Sequence, residues 1–155
     1  MGKWVTFIFM EDTKEPARIL IIEDNPDDCF FLTRQLNRAR LDDHVTIIGD
    51  GKEALDFLVQ GSGTASPVQV VAIFLDLRLP SLDGIPLLRE MRAIPQLREI
   101  PVIVMTSSNE ESDLAECRRL DVKAYVNKPV RLTDFIKAVA HVFPEAPPQR
   151  VEATV

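Results

Sequence analysis

The sequence predicts one doubly wound α/β domain built on a parallel sheet. Short runs of Val, Ile and Leu without polar alternation recur along the chain, as central strands covered on both faces require. Segments with helical periodicity separate them, so each strand is followed by a crossover helix. The chain has 155 residues, 46% apolar and 27% charged, which suits one globular domain. A domain of this size buries roughly 70% of the surface its unfolded chain exposes and needs no metal or disulfide staple.

The first apolar run is Arg18 to Ile22. After it, Asn25 followed by Pro26 reads as an N-cap with proline at the first helical position. Asp27 and Asp28 complement the positive end of that helix, which runs from Pro26 to Arg38. The second run is Val45 to Ile48, followed by the capping-box spacing of Asp50 and Glu53 and a stripe of Ala54, Leu55, Leu58 and Val59. Gly61 to Pro67 reads as a flexible connection into the third run, Val70 to Leu75. Ile85, Leu88 and Met91 mark the next helix, and Val102 to Met105 the fourth run. Ser108 and Glu111 repeat the capping-box spacing, Ala124 to Val126 is the fifth run, and Phe135, Ile136, Val139, Val142 and Phe143 form the last stripe.

The remaining composition narrows the function. Net charge is -6, and Lys and Arg never gather into a long run, so neither a nucleic-acid nor a membrane surface is expected. No apolar segment approaches the ~20 residues that cross a bilayer. Trp4 to Met10 is apolar, but Glu11 and Asp12 stand where a signal-peptide cleavage site belongs. Cys29 and Cys117 are too far apart for a CxxC pair, so reduced thiols and a cytoplasmic location are expected. Residues 1–15 form an extension outside the domain at 16–143, and the Pro-rich stretch at 144–155 reads as a disordered tail. Met10 is an alternative natural start that makes the first nine residues an artefact; otherwise they offer an added strand or a dimer contact. His44 and His141 read as ordinary surface or helix positions.

In a doubly wound sheet, ligands gather at the carboxyl ends of the strands. The first strand ends in Glu23 and Asp24, the third in Asp76 and the fourth in Thr106, while the fifth leads into Lys128 and Pro129. Clustered carboxylates repel one another unless a cation sits among them, and hard oxygen ligands suit Mg²⁺. With a free carboxylate nucleophile, the chemistry of that ion is phosphoryl transfer. Singly, each residue has a plainer explanation. Asp24 reads equally as a helix-start acid, Thr106 as a strand-end hydroxyl, Lys128 as a solvated lysine and Tyr125 as packing. Asp76 resists that treatment, because a carboxylate closing a buried apolar strand is costly unless used.

Four stretches, RILIIEDNPDD at 18–28, FLDLRLPSLDG at 74–84, IPVIVMTSS at 100–108 and KAYVNKPV at 123–130, resemble the receiver domain of two-component response regulators. The resemblance spans 18–143 and implies a flavodoxin-like five-stranded sheet of order 2-1-3-4-5, with helices on both faces. It implies that Asp76 accepts a phosphoryl group from a histidine kinase, and that Glu23, Asp24, Asp76 and the Arg78 carbonyl hold Mg²⁺. Thr106 and Lys128 then contact phosphoryl oxygens, Lys128-Pro129 is a cis peptide, and Tyr125 is an aromatic switch that turns inward with Thr106.

Arg78 departs from the small or neutral side chain common in that family, and its guanidinium is expected to pair with Glu23 or the phosphoryl oxygens and obstruct attacking water. Asp121 stands where the family often has glycine, and Asp tolerates left-handed backbone. No output domain follows Val142, so the resemblance implies a stand-alone regulator working through protein contacts, similar to the small partners of bacterial phytochrome-type kinases. It acts on an unnamed downstream protein, and Val142, Phe143 and the apolar start offer a homodimer contact. Two alternatives stand beside this reading. One is a degenerate receiver serving as a scaffold without phosphorylation. The other is an aspartyl-nucleophile phosphohydrolase, which normally has an acid two residues beyond the nucleophile, where this chain has Arg78.

Overall fold

A computed structural model describes residues 17–63, 69–107 and 111–142. Along them run β1 (Ala17–Ile22), α1 (Pro26–Arg38), a 3-10 turn (Asp42–His44), β2 (Val45–Ile48), α2 (Gly51–Gly63), β3 (Gln69–Asp76), α3 (Gly84–Ala93), β4 (Val102–Thr106), α4 (Glu111–Arg119), β5 (Ala124–Asn127) and α5 (Leu132–Val142). All strand pairs are parallel, and the sheet order is β2-β1-β3-β4-β5. The register sets Ile22 beside both Ile48 and Leu75, Asp76 beside Met105, and Thr106 beside Asn127. The strands therefore finish along one rim, with order reversing between β1 and β3.

Side chains alternate between two cores. Ile19, Ile21, Phe74, Ile103 and Met105 meet Leu32 and Leu36 of α1 and Phe135 and Val139 of α5. Leu20, Ile22, Ile73, Leu75 and Val104 meet Leu58 of α2, Leu88 and Met91 of α3 and Cys117 of α4. Both faces are covered, which is why the strands carry no polar alternation. Phe74 stacks on Phe135 with ring centroids 4.6 Å apart, joining the middle strand to the last helix.

Several local expectations change. Val59 lies outside the α2 stripe and is exposed, because Ala54 and Leu58 already fill the contact with the sheet. Gly61 does not end α2, which runs on to Gly63; glycine disfavours a helix interior, but the packed turns before it carry the last one. Leu87 joins Leu88 and Met91 in the core, widening the stripe of α3. The Asn25 cap holds as expected, its side chain accepting from the Asp27 and Asp28 backbone N–H groups. Asp121 does adopt the left-handed backbone, at φ 61°. The expectations for residues 1–16, Ser108, Phe143 and the Pro-rich tail fall outside the described residues.

Candidate functional site

Glu23, Asp24 and Asp76 come together where β1 and β3 end, each offering a carboxylate oxygen within 4.8 Å of the others. Glu23 and Asp76 are buried and Asp24 is exposed, so the cluster has two sealed members and one facing solvent. The turn into α1 shapes this arrangement. The Asn25 backbone N–H donates to Glu23 Oε2 at 3.2 Å, and the capped helix then leads Asp24 outward. On the other strand, the Arg78 N–H donates to Asp76 Oδ1 at 3.3 Å. Gly84 lets α3 start directly against this loop: a Cβ there would lie 2.6 Å from both the Asp76 carbonyl oxygen and the Leu77 Cα.

Lys128 follows β5, and its peptide bond to Pro129 is cis. Its ammonium stands 2.6 Å from Glu23 Oε1, 3.0 Å from Asp76 Oδ2 and 3.3 Å from Asp28 Oδ2. Thr106 ends β4 half-buried and lines a small cavity with Asp76, Leu77, Arg78 and Met105. Thr106 also fixes the lysine's backbone, its carbonyl accepting from the Lys128 N–H at 2.9 Å. Tyr125 lies on β5, 38% exposed and outside the carboxylate cluster. Five of the residues read from the sequence thus share one rim: Glu23, Asp24, Asp76, Thr106 and Lys128.

The pairing of Arg78 with Glu23 is not formed. The Arg78 guanidinium reaches Asp113 of α4 at 3.0 Å, and Glu23 is met by Lys128 instead. The reason is burial: Glu23 lies beneath the rim, whereas the Arg78 side chain is largely exposed and faces α4. Sequence reasoning also missed Asp28 as a partner of Lys128. Its place in the first turn of α1, just after the strand-end acids Glu23 and Asp24, held the signal. Asp113 carried no such signal, because its meeting with Arg78 is tertiary.

Charge at the rim is unbalanced. Burial, with a hydrogen bond to Asp76 and that group's charge, raises the Glu23 carboxyl from 4.5 to about 7, against the pull of Lys128 and of the Asn25 N–H. Burial alone would weaken the Lys128 ammonium, but its close contacts with the Glu23 and Asp76 carboxyl groups outweigh that and hold it above the ordinary lysine range. Glu23 Oε1 is close to Lys128 yet lacks hydrogen-bond alignment, so its compensation is charge alone. A buried carboxylate oxygen without an aligned donor, two neighbouring carboxylates and an exposed approach through Asp24 fit a hard divalent cation.

Comparison with known proteins gives a consistent answer. The family model described as the response regulator receiver domain matches residues 19–140. The bacteriophytochrome response regulator RtBRR is similar in structure, with a TM-score of 0.69 and 36% identity, covering 88% of this chain and 87% of that one. Response regulator Rcp1 of Synechocystis sp. is 33% identical over 129 residues, 83% of this chain and 88% of that protein. The structure of its Mn(2+)-bound form matches with a TM-score of 0.66 and 33% identity, covering 90% of this chain and 98% of that one. The receiver domain of sensor histidine kinase PA1611 from Pseudomonas aeruginosa, solved with a magnesium ion coordinated in the active site cleft, matches with a TM-score of 0.66 and 27% identity over 82% of this chain and 97% of that one.

Proposed function

This chain belongs to the response regulator receiver domain family, and from that premise we propose that it takes a phosphoryl group from a histidine kinase on Asp76 and signals through a protein surface. One observation carries the reading: the Asp76 carboxylate closes a buried strand with Glu23 and Asp24 on one side and the Lys128 ammonium at 3.0 Å. Such an arrangement serves a carboxylate that attacks phosphorus.

In the transfer, an Asp76 carboxylate oxygen forms the new bond to phosphorus. The phosphohistidine nitrogen–phosphorus bond breaks, and its electron pair returns to the imidazole, which takes up a proton. Lys128 pairs with a phosphoryl oxygen, and the Thr106 hydroxyl donates to another. Glu23, Asp24, Asp76 and the Arg78 carbonyl would hold Mg²⁺, which when bound neutralises charge developing on the phosphoryl oxygens. Tyr125, outward on β5, then turns toward Thr106 and alters the surface made by α4, β5 and α5.

The kinase is of the phytochrome type by likeness to RtBRR. A cytoplasmic signalling role, without turnover of free phosphate esters, completes the proposal. No described helix is long and apolar enough to cross a membrane. Incubation with Mg²⁺ and acetyl phosphate, read by intact-protein mass, tests it. One added phosphoryl unit that is lost in Asp76→Asn is the expected result. No adduct supports a scaffold, and repeated hydrolysis of phosphate esters supports a hydrolase; either outcome refutes the proposal.

A further inference from the structure

Gln35 lies on α1, half-buried and away from the reacting carboxylate, yet its side chain closes the loop that leads from Lys128 into α5. Its Nε2 donates to the Val130 carbonyl at 2.9 Å, and its Oε1 accepts from the Leu132 N–H at 2.7 Å. A longer bond from Nε2 to the Phe31 carbonyl, 3.3 Å, ties the same amide to its own helix. These loop partners are 95 and 97 positions away in sequence, so the contact is tertiary and joins two segments of the site.

The loop has few other polar ties. Lys128 donates its N–H to Thr106, and Pro129 has no N–H to give. Val130 is buried with Leu32 and Leu36, which sets the loop on α1 without fixing its height along the helix. Hydrogen bonds to a carbonyl and an N–H two residues apart supply that directional constraint, and an amide is the side chain that offers both a donor and an acceptor. Asp28, on the same helix, touches the ammonium itself at 3.3 Å. Helix α1 therefore holds the ammonium of Lys128 directly through Asp28 and the loop that follows Lys128 through Gln35.

We propose that Gln35 is a positioning residue for phosphoryl transfer: it locks the Lys128–Leu132 loop to α1 so that the ammonium is placed beside Asp76 before the phosphoryl group arrives. The proposal rests on Asp76 being the phosphoacceptor. Fixing the backbone of a loop costs conformational entropy, so a loop already anchored spares the reaction from ordering it at each transfer.

Gln35→Met keeps the length and apolar stem of the side chain and removes both bonds, while Gln35→Glu keeps the acceptor for Leu132 and loses the donor to Val130. Two readouts are taken on the full chain. The first is the NMR signal of the Lys128 side-chain ammonium without metal, assigned by its absence in Lys128→Met. A resolved signal is expected in the parent, broadened by solvent exchange in Gln35→Met and intermediate in Gln35→Glu. The second is labelling by acetyl phosphate at saturating Mg²⁺, expected to slow about tenfold in Gln35→Met while calorimetric Mg²⁺ affinity changes by less than about twofold.

An unchanged ammonium signal and labelling rate overturn the proposal, as does a loss of Mg²⁺ affinity matching the loss of rate, which would mean general damage to the site. Should Gln35→Met fail to fold, Gln35→Glu carries the same comparison. Failure of the parent to take a phosphoryl group sinks the function proposed above, whereas the ammonium signal still judges whether Gln35 places Lys128.

Discussion

Glu23 sets the protonation state of the rim. Burial and the neighbouring Asp76 raise its carboxyl from 4.5 to about 7, so the folded protein holds a proton there that the unfolded chain releases. The sign follows: without metal, this group's stabilising contribution is complete below 4.5 and is lost as pH rises through about 7, with a slope of up to about 1.4 kcal/mol per pH unit. Urea denaturation in chelator across this range should show that slope in the parent and lose it in Glu23→Gln; identical profiles would contradict a proton held on Glu23. Lys128 is the counterweight. Lys128→Met leaves two buried carboxylates without their ammonium and should lower stability by about 3 kcal/mol at neutral pH, and by less in acid, where Glu23 takes up its proton. Equal losses at both pH values would mean that Lys128 acts through packing alone.

At the scale of elements, the site depends on how closely α3 approaches the loop after β3. A methyl group at Gly84 cannot fit 2.6 Å from the Asp76 carbonyl without moving backbone. Gly84→Ala should therefore cost about 1–3 kcal/mol and slow labelling of Asp76, whereas Gly49→Ala, with neighbours no nearer than 3.5 Å, tests whether any added methyl has that effect. Equal behaviour of the two variants, in thermal stability and labelling rate, would remove the close-approach argument. The start of α1 was legible in Asn25 and Pro26 because capping is local chemistry written in adjacent residues. The end of α2 was not, since Gly61 argues for a break and the packing of Leu58 that overrides it is tertiary. The same limit hid Asp113 behind Arg78 and the Val130 and Leu132 partners of Gln35: each pair joins side chains that only the folded sheet brings together.

Over the whole molecule, parallel topology makes the site readable at all. Apolar runs covered on both faces leave no place for a carboxylate except the strand ends, so Glu23, Asp24 and Asp76 marked the rim before any contact was known. The direction of Arg78 was not fixed by topology, because an exposed guanidinium chooses among several acids at the rim and settles on α4. Both helical layers then serve the same carboxylate, α1 holding the Lys128 ammonium through Asp28 and the loop after it through Gln35, while α3 braces the Asp76 loop on the other side. We propose that the Asp76 carboxylate, and no other group, receives phosphorus. Reduction of the phosphorylated protein with tritiated borohydride, followed by peptide mapping, tests it most directly, since only an acyl phosphate is converted to a labelled alcohol. Label confined to position 76 is the predicted result; label on any other residue, or a phosphoryl adduct that resists reduction, would contradict it.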